Sequence, residues 1–220
     1  MTSDEWLVTG EKQKSKAVWG YVLAGGFSSR FGQDKALAEL GGEAMLARML
    51  ELIAATGADQ ASVIGAAEKY SRFGALCIED MWPGEGPLGG IITALRNTER
   101  NGERRDWNLI LSCDMPFLTR EWLRDLVERA LASDAQVVLA HSAHRPEPLC
   151  ACWRTDAAET LQRAFEHGVR KVTEGIALLR AEVLDERDWK RFDSAGRLFW
   201  NMNTLADYEI AKRILEAEEK

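Results

Sequence analysis

Apolar and polar positions follow two different periods along this chain, and the switches between them mark its elements. Residues 18–23 (Val-Trp-Gly-Tyr-Val-Leu) form a near-continuous apolar run that reads as a buried strand. Residues 44–55 place Met45, Leu46, Met49, Leu50, Leu52 and Ile53 at helical spacing. Short apolar runs at 60–65 and 76–79 predict strands, with a short helix at 68–73 between them. A helix is expected at 89–100, opening just after Pro87, and the very apolar run 107–112 predicts a strand ending at Cys113-Asp114. Trp122, Leu123, Leu126 and Val127 share one face of a helix at 120–132. Strands at 136–140 and 149–153, helices at 156–166 and 170–179, a weak strand at 181–184 and a helix at 205–217 complete the order.

Strand and helix alternate at intervals that suit βαβ crossovers. The expected fold class is therefore α/β: one Rossmann-like domain, with a mostly parallel mixed sheet and helices on both faces. The two closely spaced strands within 136–153 predict one antiparallel member. A length of 220 residues suits one sizeable domain, assigned to 17–220. Residues 1–16 are polar, rich in Lys, Glu and Ser, and lack the apolar core of a signal peptide; they are expected to be a flexible extension. In doubly wound sheets ligands bind beyond the carboxyl ends of the strands. That rule singles out three loops: 24–35, 80–90 and 113–119.

Composition narrows the function classes. A net charge of −7 argues against a general nucleic-acid binder, yet leaves room for a nucleotide pocket with a few local cations. No apolar run approaches the length of a membrane span. Cys77, Cys113, Cys150 and Cys152 all lie in or beside apolar runs, as reduced core thiols of a cytoplasmic protein would. A zinc site joining His141, His144, Cys150 and Cys152 is the alternative, but C-x-C departs from the usual ligand spacing. His167 is expected on a helix surface.

The first loop, Leu23-Ala24-Gly25-Gly26-Phe27-Ser28-Ser29-Arg30-Phe31-Gly32-Gln33-Asp34-Lys35, carries most of the information. Adjacent glycines bare the backbone amides to phosphate oxygens, and Arg30 and Lys35 supply neutralising charge. It is not a Walker loop, because Gln33 follows Gly32 where lysine is required. Nor is it a dinucleotide fingerprint; the one G-x-G-x-x-G string, at 84–89, lies far from the first strand and contains Pro87. By residue type alone the loop also reads as an ordinary glycine-rich turn between strand and helix. Asp114, at a strand exit before Pro116, suits either a divalent cation or a turn cap. Asp80 opens a glycine-rich loop and is equally an ordinary turn residue. Asn203 or Thr204 is placed to cap the last helix, and Arg170 and Lys171 read as solvated helix residues.

Taken together these segments resemble the molybdenum cofactor guanylyltransferases. The resemblance rests on Leu-Ala-Gly-Gly with Arg30-x-Gly32-x-Asp34-Lys35, on Gly86-Pro87-Leu88-x-Gly90 after Asp80, and on Asp114-x-Pro116-Phe117. Pro148-Leu149, Gly168-x-Arg170 and Asn201-x-Asn203-Thr204 extend it over most of 18–210, with Leu205 standing where the family usually has proline. It implies a nucleotide-diphospho-sugar transferase-like fold. It also implies transfer of GMP from GTP to the phosphate of molybdenum–molybdopterin, with Mg²⁺ as cofactor and pyrophosphate released. By the same resemblance Lys35, Arg30 and Asp114 are catalytic, with Asp114 holding the metal and Asn203 a second contact. Leu23, Ala24, Gly25, Gly26, Lys35, Asp80, Gly86, Pro87 and Leu88 would surround the nucleotide, and Arg170 and Lys171 would meet the acceptor. The Gly25-Gly26 pair implies guanine, since related CTP-using enzymes tend to carry Leu-Ala-Ala-Gly there. Other cofactor-biosynthesis proteins or molybdoenzymes are the implied protein partners. The alternatives are a relative using CTP or a sugar-phosphate acceptor, and a non-catalytic nucleotide-binding module. The last is opposed by the presence of both Lys35 and Asp114.

Overall fold

The first strand, β1 (Val18–Leu23), lies in the interior of the sheet and is buried along its length, with only Trp19 and Leu23 partly accessible. The computed structural model describes residues 18–25, 31–102, 104, 106–143 and 145–218. The extension expected at 1–16, together with Gly26, Arg30 and His144, lies outside the described residues. After β1 a 3₁₀ turn at Lys35–Leu37 leads into a two-stranded hairpin, β2 (Glu39–Leu40) and β3 (Glu43–Ala44), and then α1 (Met45–Ala54). Next come β4 (Gln60–Ile64), α2 (Ala67–Tyr70), β5 (Leu76–Ile78), α3 (Pro87–Asn101) and β6 (Trp107–Ser112). The second half contains α4 (Arg120–Ala132), β7 (Val137–His141), β8 (Pro146–Arg154), α5 (Ala158–Glu166) and α6 (Val172–Ile176). The described chain closes with β9 (Ala181–Leu184), α7 (Glu186–Trp189) and α8 (Leu205–Glu218).

Seven strands form one sheet in the order β5-β4-β1-β6-β8-β7-β9. All adjacent pairs are parallel except β6/β8 and β8/β7, so β8 is the single antiparallel member. Parallel strands covered on both faces are apolar on both, and β6 is buried at every position. One face packs Val22, Leu109, Leu111 and Cys152 against Met49, Ile53, Leu123 and Leu126 of α1 and α4. The other packs Tyr21, Ile110 and Leu139 against Leu88, Ile91, Leu95, Leu161 and Phe165 of α3 and α5. Gly20 is what lets α1 approach β1, because a Cβ there would collide with Ile53 Cγ2.

Three differences separate the structure from the sequence expectation, two of them set by proline. Helix α3 begins two residues earlier than 89, since Pro87 occupies its first turn, where no intrahelical donor is needed. Strand β8 begins three residues earlier than 149. Pro146 and Pro148 fit there because β6 pairs only from Cys150 onward, so they have no ladder bond to donate on that side. The helix expected over 170–179 shrinks to Val172–Ile176, leaving Arg170 outside it and Lys171 at its cap. Cys150 and Cys152 face the core, and among the described residues no three His, Cys, Asp or Glu side chains gather as metal ligands. His167 stands exposed at the end of α5. Among the described residues no helix is long and apolar enough to cross a membrane.

Candidate functional site

The carboxyl ends of β1 and β6 are adjacent, their register running through Leu23 opposite Ser112. The residues just beyond both strands therefore share one rim. On the β1 side the Ala24 amide donates to Ile64 O (2.9 Å), which fixes the chain as it leaves the sheet. Gly25 then adopts φ +139°, a conformation side-chain-bearing residues rarely reach, and among the described residues none comes within 4 Å of a Cβ placed there. The loop returns through Phe31, fully buried and edge-on to Tyr208 of α8. Asp34 next accepts from the Ala36 amide (3.1 Å) and the Tyr70 hydroxyl (2.7 Å), pinning the 3₁₀ turn that presents Lys35. Burial, with the Asp34 charge beside it, raises the Tyr70 pKa, so the phenol stays a donor.

On the β6 side Asp114 leaves the strand end with its Oδ1 accepting from the Ser112 hydroxyl. Its backbone carbonyl accepts from the Met202 amide (2.7 Å), which ties the segment before α8 to this exit. Thr204 and Asp207 cap α8 reciprocally: the Asp207 amide donates to Thr204 Oγ1, and the Asp207 carboxylate accepts from the Asn203 and Thr204 amides. Burial raises the Asp207 pKa, but those hydrogen bonds and the charge of Lys35 outweigh it and leave the group acidic. The cap holds Asn203 so that its Oδ1 accepts from Lys35 Nζ at 3.0 Å. Lys35 Nζ is also 3.9 Å from Asp114 Oδ2, with both side chains largely shielded from solvent. Lys35, Asp114 and Asn203, distant in sequence, thus meet at one point.

A second cluster sits beside the first. Asp80 Oδ1 accepts from the Trp82 amide (3.0 Å), and the Thr93 hydroxyl lies 3.1 Å away. A Cβ on Gly90 would approach Leu23 Cδ2 at 3.3 Å, so a bare residue lets the start of α3 close on the end of β1. Gly86 caps α3 with φ +95°, and Pro87 follows it. Leu88 is fully buried in the core, main chain included, while Gly86 and Pro87 before it are exposed. Arg170 is not a free cation: its guanidinium holds Glu85 (2.7 and 2.8 Å) and donates to the Phe165 and Val169 carbonyls. Lys171 is far more exposed and stands 3.4 Å from Glu174.

Sequence reasoning passed over the supporting residues. Ser112, Thr93 and Tyr70 carry no motif of their own; Thr204-x-x-Asp207 is a capping-box pattern and was legible. Glu147 is buried at the start of β8, where Ser142 Oγ donates to Oε1 (2.9 Å). Burial raises its pKa, Ser142 and Arg145 lower it, and the nearby Asp114 charge raises it further.

A mostly parallel sheet with a lysine and a carboxylate meeting beyond the carboxyl ends of its strands has the layout of a nucleotide-handling enzyme. Comparison with known proteins narrows this class. The model of the MobA-like NTP transferase domain matches residues 20–183. A protein of Opitutus terrae named "Probable molybdenum cofactor guanylyltransferase" is 34% identical over 168 residues, covering 75% of this chain and 80% of the relative. Its namesake in Pelotomaculum thermopropionicum is 31% identical over 197 residues, covering 90% and 93%. Among solved structures, molybdopterin-guanine dinucleotide biosynthesis protein A of Archaeoglobus fulgidus superposes with a TM-score of 0.77 at 27% identity, covering 90% of this chain and 99% of that one. A 4-diphosphocytidyl-2C-methyl-D-erythritol synthase shares the fold at a TM-score of 0.68 and 12% identity, covering 91% and 99%. The chain belongs to the MobA-like NTP transferase family.

Proposed function

We propose that the protein transfers GMP from GTP to the terminal phosphate of molybdopterin carrying molybdenum, yielding the guanine dinucleotide form and pyrophosphate. The convergence of Lys35, Asp114 and Asn203 at the rim beside Leu23–Gly25 carries this reading. An oxygen of the acceptor phosphate attacks the α-phosphorus in line, and the bond to the bridging α–β oxygen breaks as pyrophosphate leaves. The attacking oxygen is already anionic, so no side-chain nucleophile is needed, and catalysis is positioning plus charge neutralisation. Lys35, steadied by Asn203 and by the Asp34–Tyr70 anchor, offsets negative charge on the triphosphate. Arg30 is assigned the same role from the sequence resemblance. Backbone groups of Leu23, Ala24, Gly25 and Gly26 read the base, and Asp80 with the Gly86–Pro87 turn borders the nucleoside, anchored by the buried Leu88.

The donor set suits Mg²⁺. Asp114 Oδ2 is a hard oxygen beyond hydrogen-bond distance of Lys35, and such an ion completes its shell with water and phosphate oxygens. Asp114 would hold it, with Asn203 as a second oxygen donor if it releases Lys35. When bound, the ion supplies charge neutralisation at the α-phosphate and the leaving group. Lys171 is assigned to the acceptor side, and the product passes on to molybdoenzymes or their assembly partners. The test is pyrophosphate release with molybdopterin and each of GTP, CTP, UTP and ATP. Turnover confined to GTP is expected; preference for another triphosphate, or dependence on a sugar-phosphate acceptor, would overturn the assignment.

A further inference from the structure

The 80–86 loop borders the proposed nucleoside site but has little internal structure to hold it. Its own ties are the Glu85 amide on Trp82 O (3.2 Å), the Trp82 amide on Asp80 and the Met81 amide on Thr93 Oγ1. Thr93 of α3 holds its first two residues, Asp80 and Met81, and a segment far along the chain holds Trp82 and Glu85. Trp82 packs on Phe165 of α5, ring centroids 4.9 Å apart. Arg170 packs on the same Phe165, its Cζ 3.9 Å from the ring centroid. Its Nη1 donates to Phe165 O (2.6 Å) and Val169 O (3.1 Å), while Nε and Nη2 both reach Glu85 Oε2 (2.8 and 2.7 Å). Two carbonyls and a ring fix the guanidinium before Glu85 arrives, so little side-chain freedom is lost in making the ion pair.

We propose that Arg170 and Glu85 form a latch that positions the nucleoside loop, and that Arg170 is a positioning residue rather than a ligand of the acceptor phosphate. The inference rests on the transferase reading above. An acceptor phosphate would have to displace Glu85 from Arg170. Lys171, with its side chain 78% exposed, can reach an anion without breaking the latch. The latch also joins the α5–α6 segment, implied to face the acceptor, to the loop beside the nucleotide donor. Both halves of the proposed site thereby share one contact, its two side chains 44% and 46% exposed.

The test is a double-mutant cycle with Arg170→Met, Glu85→Gln and the pair together, in the full-length protein. Each single variant is expected to raise KM for GTP roughly 3- to 10-fold with kcat nearly unchanged, the pattern of lost loop order rather than lost chemistry. The double variant should be no worse than either single one. If Arg170→Met instead raises KM for molybdopterin, if Glu85→Gln is silent, or if the two effects multiply, the latch is wrong. Hydrogen exchange in residues 80–86, measured without substrates, gives a readout independent of turnover. Faster exchange is expected in each single variant and no further increase in the double; unchanged exchange overturns the latch even if GTP turnover is found. Should the parent protein turn over no GTP while the exchange pattern holds, the substrate assignment fails and the latch stands.

Discussion

Replacing Lys35 by methionine deletes a charge while keeping most of the side-chain stem. Nζ lies 3.9 Å from Asp114 Oδ2 and 3.0 Å from Asn203 Oδ1, with the side chain only 17% exposed. Two unit charges about 4 Å apart attract by about 4 kcal/mol at an effective dielectric of about 20. Desolvation offsets much of that, and a hydrogen bond to a charged partner retains about 1.5–3 kcal/mol. Presented to a triphosphate oxygen, the ammonium carries a similar net value, so kcat/KM should fall roughly 10- to 150-fold. Stability should change far less, because this partly exposed pair contributes at most about 1 kcal/mol, or about 2–4 °C in Tm for a chain of this size. Pyrophosphate release with GTP and molybdopterin, paired with thermal unfolding, measures both quantities. The reasoning is refuted by a kcat/KM within about threefold of the parent, or by a loss of activity that merely follows a collapse in Tm.

Three further outcomes are expected. Asp114→Asn keeps the size of the side chain and the backbone bond from Met202, yet should cost roughly 10²–10³ in kcat while Tm falls by no more than the about 2–4 °C of the lost Lys35 pair; recovery of the full rate in excess Mg²⁺ would remove Asp114 from its role. Gly25→Ala meets none of the described residues within 4 Å but forces a residue with a Cβ to φ +139°, so it should cost about 1–3 kcal/mol of local strain and raise KM for GTP; unchanged GTP kinetics would show that this backbone is not what the base meets. Glu147 has its pKa raised above the ordinary glutamate value, chiefly by burial. The native state therefore holds this proton longer than the unfolded chain, and the stability it provides is complete at low pH and is lost as pH rises through the raised pKa. Denaturant unfolding of Glu147→Gln should be flatter than the parent across that interval, and parallel profiles would contradict the burial argument.

The sheet was legible because its strands announce themselves. The runs at 18–23 and 107–112 are apolar on both faces, and the crowded pair within 136–153 already implied an antiparallel strand. The hairpin of β2 and β3 was not legible, since two-residue strands carry no period. Helix α7 is four residues long and rests on an Asp185–Asp188 capping box rather than on an apolar stripe. In the site, the motifs located Lys35, Asp114 and Asn203, but their meeting is tertiary: Lys35 and Asn203 are 168 positions apart. Arg170 shows the limit most plainly. Its type and charge suit an anion, while its actual partner, Glu85, lies 85 positions earlier and has no motif linking the two. A string of residues reports which charges exist, and only the fold reports which of them are already engaged.

The burial of the thiols bears on how the molecule can be observed. Cys113, Cys150 and Cys152 are shut inside the sheet layers, and burial raises all three pKa values, that of Cys150 to about 12. Alkylating reagents attack thiolate, so these sulfurs stay silent until the surrounding structure opens. Cys77, at the sheet edge on β5, is partly accessible and should label first. Peptide-resolved alkylation would then follow breathing of the native molecule without any added probe. Because Cys113 directly precedes Asp114, its labelling rate against that of Cys150 and Cys152 separates opening of the β6 exit from opening of the whole domain.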